Sequence, residues 1–192
     1  MLIYAIRHGE STANQAGVHA GWSPVPLTEE GRRMAQALRP RLESIPFDRV
    51  YASDLPRALQ TAQLTLPGRK IIPDERLREI HVGSLAGVSP QDLGQRLGES
   101  YWQSIRQRDF TAYGGENTHQ QQERVQAFLN ELACDSEETV AVFCHEGTIK
   151  CMLNCVLEAT LDWKMTALAN CSFSVFQLNP QRPWKLICWN QT

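Results

Sequence analysis

The chain of 192 residues lacks any apolar run near the roughly 20 residues that a bilayer-spanning helix requires. It also lacks blocks of like charge. Its 19 basic and 21 acidic residues are interspersed, apart from short Glu-Glu and Arg-Arg pairs, and the net charge is −2. Such a balance indicates neither a nucleic-acid surface nor a membrane surface. Ahead of Arg7 there is no basic region, and the apolar run is too short for a secretory signal. No Walker loop, dinucleotide-binding glycine fingerprint, internal repeat or low-complexity tract occurs.

The six cysteines, Cys134, Cys144, Cys151, Cys155, Cys171 and Cys188, lack CxxC spacing. A disulfide framework belongs to short secreted chains, and several of these residues fall where periodicity predicts core. Reduced thiols in a cytoplasmic protein are therefore expected. His145-Glu146 opens like a zinc-binding helix, but Ile149 stands where that motif needs a second His. No metal and no cofactor is expected.

What is present suits one domain over residues 1–192. The hydrophobic fraction is 42%, and a chain of this size removes roughly 70% of its unfolded surface from water without staples. Leu2 to Ile6, four of its five residues aliphatic, has the character of a buried strand, and the sequence turns polar and Gly-containing directly after it. Such a strand delivers Arg7 and His8 to the carboxyl end of a sheet, where open α/β folds place ligands. An imidazole beside a guanidinium offers a neutral nucleophile at the edge of an anion clamp.

Further along, Ala13 to Pro26 reads as a Gly- and Pro-containing loop in which His19 and Trp22 either rim a pocket or pack the loop. Thr28 is the expected cap of a helix whose inner face carries Met34, Ala35, Leu38 and Leu42. A second strand, Phe47 to Ala52, ends at Ser53, which is expected to cap a helix striped by Leu55, Ala58, Leu59, Ala62 and Leu66. Arg57, in the first turn of that helix, points toward the strand end, a geometry suited to an anion. A short strand at Lys70 to Ile72 precedes the non-helical stretch Leu77 to Gly87. Residues 88–116 are the least legible, with weak helices near Gln91–Leu97 and Glu99–Gln107.

Thr118 and Gln121 have capping-box spacing before a helix with Val125, Phe128, Leu129 and Leu132 inward. Thr139 to Cys144 is a near-continuous β-forming run, hence a doubly covered central strand. It ends in His145-Glu146-Gly147, and a helix with Ile149, Met152, Leu153, Val156 and Leu157 inward follows. The layout of His8 is thus repeated. A hairpin, Phe173–Leu178 and Trp184–Trp189 joined at Asn179-Pro180, closes the chain. The fold class expected is α/β, a three-layer sandwich with a mostly parallel central sheet, helices on both faces and a short cap region at about residues 80–116.

Arg7-His8-Gly9-Glu10-Ser11 followed by Asn14 resembles the signature of the histidine phosphatase superfamily, in its phosphoglycerate-mutase-like branch. The stretch Ser53 to Ala62 resembles the second phosphate-binding motif of that family, and His145 matches its second histidine. The resemblance spans nearly the whole chain. It implies a phosphohistidine formed on His8, with Arg7, Arg57, Asn14 and a protonated His145 around the phosphoryl oxygens. Gly147 and Trp22 complete the expected phosphate or substrate contacts.

A carboxylic acid of raised pKa should protonate the leaving oxygen. Glu79 matches the mutase-like branch at this position, while Glu146 resembles the place where the acid-phosphatase branch carries Asp. The Leu77-Arg78-Glu79 context favours Glu79. Ser11 stands where Thr is common in the family, and Thr118 follows Gly115-Glu116-Asn117 where a Ser often follows the Glu; both bear on substrate choice. The activity implied is hydrolysis of small phosphate esters, without nucleic acid or membrane as partner. The alternatives are a phosphoglycerate mutase and a non-catalytic relative that binds a phosphorylated ligand. Nothing in the sequence fixes an oligomeric state.

Overall fold

The computed structural model describes residues 1–134, 138–159, 161, 166–179 and 183–192. Strands β1 (Leu2–Arg7), β2 (Arg49–Ala52), β3 (Ile71–Pro73), β4 (Thr139–Cys144), β5 (Phe173–Gln177) and β6 (Lys185–Gln191) form one sheet in the order β3-β2-β4-β1-β5-β6. The first four strands in that order pair in parallel, while β5 and β6 close the far side antiparallel. The helices are α1 (Thr12–Ala16), α2 (Glu29–Leu42), α3 (Pro56–Thr65), α4 (Pro90–Leu97), α5 (Glu99–Gln107), α6 (Thr118–Ala133) and α7 (Glu146–Leu157).

Alternation along the central strands builds two cores. Ile3 and Ala5 of β1 and Val140, Val142 and Cys144 of β4 meet Val125, Phe128, Leu129 and Leu132 of α6 and Ile149, Met152 and Leu153 of α7. On the opposite face, Ile6, Val50, Ala141 and Phe143 meet Ala35, Leu38 and Leu42 of α2 and Ala62 of α3. The three-layer α/β arrangement follows. The region 80–116 carries a small core of its own, Ile80, Val82, Leu85, Leu93, Tyr101 and Phe110.

Several local expectations need correction. Ala13 to Pro26 is not loop throughout, because α1 forms over Thr12–Ala16 inside a capping box made by Ser11 and Asn14. The cap of α3 is Leu55, with Pro56 in the first turn. Ser53 is engaged elsewhere. The box opening α6 is Asn117 with Gln120, one residue earlier than Thr118 and Gln121, since Asn is at least as good an N-cap as Thr. Leu157, the last residue of α7, is 45% exposed rather than inward. Of the hairpin connection at Asn179-Pro180, Pro180 lies outside the described residues.

Candidate active site

The strand register decides which side chains meet. In the parallel pair of β1 and β4, Arg7 lies opposite Cys144, so the next residues, His8 and His145, emerge side by side. The His8 amide donates to the Cys144 carbonyl at 3.0 Å, and the two imidazole centroids are 5.1 Å apart. On the other side of β4, Ala52 pairs with Phe143, which brings Ser53 to the same height. The Ser53 hydroxyl lies 2.9 Å from His145 Nε2. Three strand ends therefore converge at the carboxyl edge of the sheet, as parallel topology dictates for a ligand crevice.

The His8 ring is fixed by its own backbone. Nδ1 lies 2.7 Å from the Gly9 carbonyl oxygen, an acceptor only, so Nδ1 carries the proton and Nε2 keeps its lone pair. Burial, then the nearby Arg57, and more weakly Arg7, hold the His8 pKa well below its ordinary value, against a raising effect of the Gly9 bond. His145 is likewise held well below the ordinary value by burial first, then by Arg57, His8, Arg124 and Arg7. Both rings are neutral near pH 7. His145 was expected to be protonated, whereas burial and the neighbouring arginines favour its neutral form, and its Nδ1 is buried without a hydrogen-bond partner.

Arg7, His8, Asn14, Arg57, Glu79 and Gly147 all line one cavity of about 380 Å³. Arg57, only 2% exposed, is clamped by the carbonyls of Ser23 (3.1 Å) and Gly21 (2.8 Å). Burial pushes its pKa down to about 10, against the pull of Glu79, and it remains cationic. Arg7 donates to the Leu168 carbonyl and lies 3.3 Å from Glu146. Asn14 commits its side-chain oxygen to the Ser11 amide and hydroxyl at 3.0 and 2.8 Å, leaving the NH2 for a ligand.

Glu79 and Glu146 sit in different surroundings. Glu146 forms ion pairs with Arg7 and, at 2.7 Å, with Lys150. Glu79 accepts from the Gly147 amide at 3.0 Å, from the Ile80 amide at 2.8 Å and from Gln121 at 3.2 Å. Burial raises its pKa, but Arg108, the Ile80 and Gly147 amides and Arg57 outweigh burial and hold the carboxyl below its ordinary range. The raised pKa expected of a proton donor is thus replaced by a lowered one. Gly147 makes the approach possible, because a Cβ there would sit 1.9 Å from Glu79 Oε1.

Trp22 is not in the cavity wall. Its indole donates to the Glu79 carbonyl at 2.7 Å, with its ring 4.5 Å from that of His81 and the Arg78 guanidinium 4.6 Å above it. His19, by contrast, does line the cavity, 2.7 Å from the Tyr101 hydroxyl.

Arg108 and Lys150 line the cavity without having been found in the sequence. Arg108 sits in a left-handed conformation just past α5, in the least periodic part of the chain, and Lys150 is buried on a helix face that otherwise reads as core. Thr61 and Asn170 were also missed. Thr61 accepts from the Gly9 amide at 3.1 Å and donates to the Arg57 carbonyl at 2.7 Å, while Asn170 holds the His8 carbonyl at 2.9 Å. Spacing alone gives no signal for such long-range props. Among the described residues, no group of three or more His, Cys, Asp and Glu side chains could hold a metal ion. Likewise, none of the described helices is long and apolar enough to cross a membrane.

Two buried, neutral imidazoles held beside the buried Arg57 and the partly buried Arg7 at the carboxyl edge of a parallel sheet define a site for an anion and a nucleophile. The chain belongs to the histidine phosphatase superfamily, branch 1, whose family model matches residues 3–192. It is 34% identical over 164 residues to an adenosylcobalamin/alpha-ribazole phosphatase of Salmonella typhimurium, covering 80% of this chain and 78% of that one. It is 32% identical over 161 residues to a 2,3-bisphosphoglycerate-dependent phosphoglycerate mutase of Gloeobacter violaceus, covering 79% and 74%. The crystal structure of the alpha-ribazole phosphatase of Shigella flexneri superposes with a TM-score of 0.90 at 27% identity, over 100% of this chain and 96% of that one.

Proposed function

We propose that the protein is a phosphatase that hydrolyses monoesters of small, otherwise uncharged alcohols in two displacements at His8. The observation that carries this reading is the fixed tautomer of His8, whose Nδ1 proton is committed to Gly9 while Nε2 is held neutral among cations. Nε2 attacks phosphorus, the N–P bond forms and the P–O bond to the alcohol breaks, and Glu79 gives the departing oxygen its proton. Water then attacks the phosphohistidine, losing a proton to the Glu79 carboxylate; its P–O bond forms, the N–P bond breaks with its electron pair returning to His8 Nε2, and inorganic phosphate leaves. Arg7, Arg57 and the Asn14 NH2 take the phosphoryl oxygens, and His145 adds a donor once it is protonated.

The low pKa values of Glu79 and His145 fit this sequence of events. Both groups are held in their unprotonated states in part by neighbouring arginines. An arriving phosphate opposes that field and raises both groups toward protonation when the proton is needed.

Charge supports hydrolysis of an uncharged alcohol's ester over mutase chemistry. Arg7, Arg57, Arg108 and Lys150 face Glu79 and Glu146 in the cavity wall, a formal surplus of two positive charges. That surplus matches one phosphate dianion. Phosphoglycerate brings a carboxylate as well, which leaves one negative charge unmatched before Glu79 and His145 take up their protons. The rest of the wall includes Val18, Val82, Ile105 and Phe110, which suit an apolar portion of the alcohol. The buried thiols Cys144, Cys151 and Cys171 accord with the cytoplasmic setting read from the sequence.

The test is a panel of phosphomonoesters assayed for phosphate release with wild type and His8→Ala. Uncharged aromatic or alkyl alcohol esters should exceed 3-phosphoglycerate in kcat/KM by at least about tenfold, a like-charge penalty of modest size. His8→Ala should lose roughly 10³-fold or more. Release at the wild-type rate by the variant would remove the nucleophile from this account. Interconversion of phosphoglycerates outpacing phosphate release would favour a mutase.

A further inference from the structure

Glu79 sits in a segment without helix or strand, and a proton donor placed there needs its backbone fixed by something else. The fixing comes from α6 and from the end of the cap. The Arg124 guanidinium donates from Nη1 to the carbonyls of Arg76 and Arg78, both at 2.7 Å, and from Nη2 to the Glu79 carbonyl at 3.0 Å. The same Nη2 bonds Glu116 Oε1 at 2.6 Å, and Nε bonds Glu116 Oε2 at 3.3 Å. Glu116 in turn accepts from the His81 amide at 3.0 Å, while its own amide donates to the His81 carbonyl at 2.9 Å.

Both side chains are mostly shielded, at 16% and 13% exposed, so these bonds are little weakened by water. One turn earlier on the same helix, Gln121, fully buried, donates to the Glu79 carboxylate itself. Thus α6 grips Glu79 at both ends: Gln121 holds the acid group and Arg124 holds the backbone, with Glu116 tying that grip to the cap.

We infer that the Arg124–Glu116 pair is the positioning device for Glu79, setting the distance at which it protonates the leaving oxygen and tying that position to the cap. Arg124 is a positioning residue and does not itself touch the cavity. A planar fork is required, because one guanidinium spans three carbonyls and a carboxylate that a single ammonium cannot span. This inference rests on Glu79 being the proton donor.

The leaving group separates positioning from mere structural support. A p-nitrophenolate departs with little need of a proton, whereas an alkoxide cannot. Arg124→Lys and Glu116→Gln should each lower kcat/KM for an alkyl phosphate by roughly 10²-fold and for p-nitrophenyl phosphate by less than about threefold, the former within the usual span of general acid catalysis. Glu79→Gln should show the same selectivity, and adding Arg124→Lys to it should cost alkyl phosphate turnover less than about threefold more.

If Arg124→Lys and Glu116→Gln lower both esters equally, or add fully to Glu79→Gln, the pair supports the fold only and the inference is overturned while Glu79 stands. If Glu79→Gln itself shows no selectivity, the acid assignment fails and this inference with it. Should Arg124→Lys fail to fold, Glu116→Gln, which keeps the guanidinium in the chain but removes the carboxylate that orients it, decides by the same two rates.

Discussion

At the scale of single residues, the decisive fact is that His8 meets an acceptor, Gly9 O, on one side and cations on the other. An imidazole so placed is a poor base toward solvent and a ready nucleophile toward a bound phosphate. In an imidazole nitrogen NMR titration of the unliganded protein, His8 should stand as the Nδ1–H tautomer at pH 7, and both His8 and His145 should titrate below 6.5. A pKa at or above 6.5 for either contradicts the burial account. The sign for stability follows from linkage. Between the lowered folded pKa and the unfolded value near 6.5, the unfolded chain binds more protons. Stability from these two groups is therefore full above about 6.5 and lost as pH falls below it. Thermal unfolding should show that loss, and it should shrink in His145→Gln.

Elements explain why much of this was readable in advance and why some was not. The two strand tips, Arg7-His8 and Cys144-His145, were legible because apolar runs end abruptly at polar, Gly-containing turns. Adjacent parallel strands in register then bring such tips together without further instruction. Helix starts were less legible. Ser53 carries every mark of an N-cap, yet its hydroxyl lies within hydrogen-bond reach of His145 Nε2, and α3 opens two residues later behind Leu55. A site took a residue that local rules assign to a cap. Arg108 gave no signal, since its place in the wall depends on how the cap folds back, which no local period encodes.

The start of α7 carries a prediction of the same kind. Its Gly147 amide holds Glu79, and the absent side chain leaves the carboxylate room. Gly147→Ala should displace Glu79 and lower alkyl phosphate turnover by roughly 10- to 10²-fold. The unfolding temperature should change by only a few degrees, since Ala favours a helix by up to about 1 kcal/mol over Gly. Wild-type turnover by that variant would show that Glu79 needs no such clearance.

Over the whole molecule, the sheet supplies rigid posts, the two helical layers bury them, and the cap brings Val82, Arg108 and Phe110 over a cavity already built at the strand ends. On the proposed function, reaction type resides in the posts and choice of alcohol in the cap. The net charge of −2 gives the molecule no long-range pull on a phosphate ester, so on the proposed function the local surplus of two positive charges in the cavity is the feature that draws it in. Everything turns on the first displacement. Rapid acid-free quenching of a single turnover with an ester labelled in its phosphoryl group, followed by digestion, should place an acid-labile, alkali-stable label on the peptide containing His8. It should appear before free phosphate and decay with it. Label on another residue, or phosphate release at the full rate with no label on His8 at any time, would contradict the account.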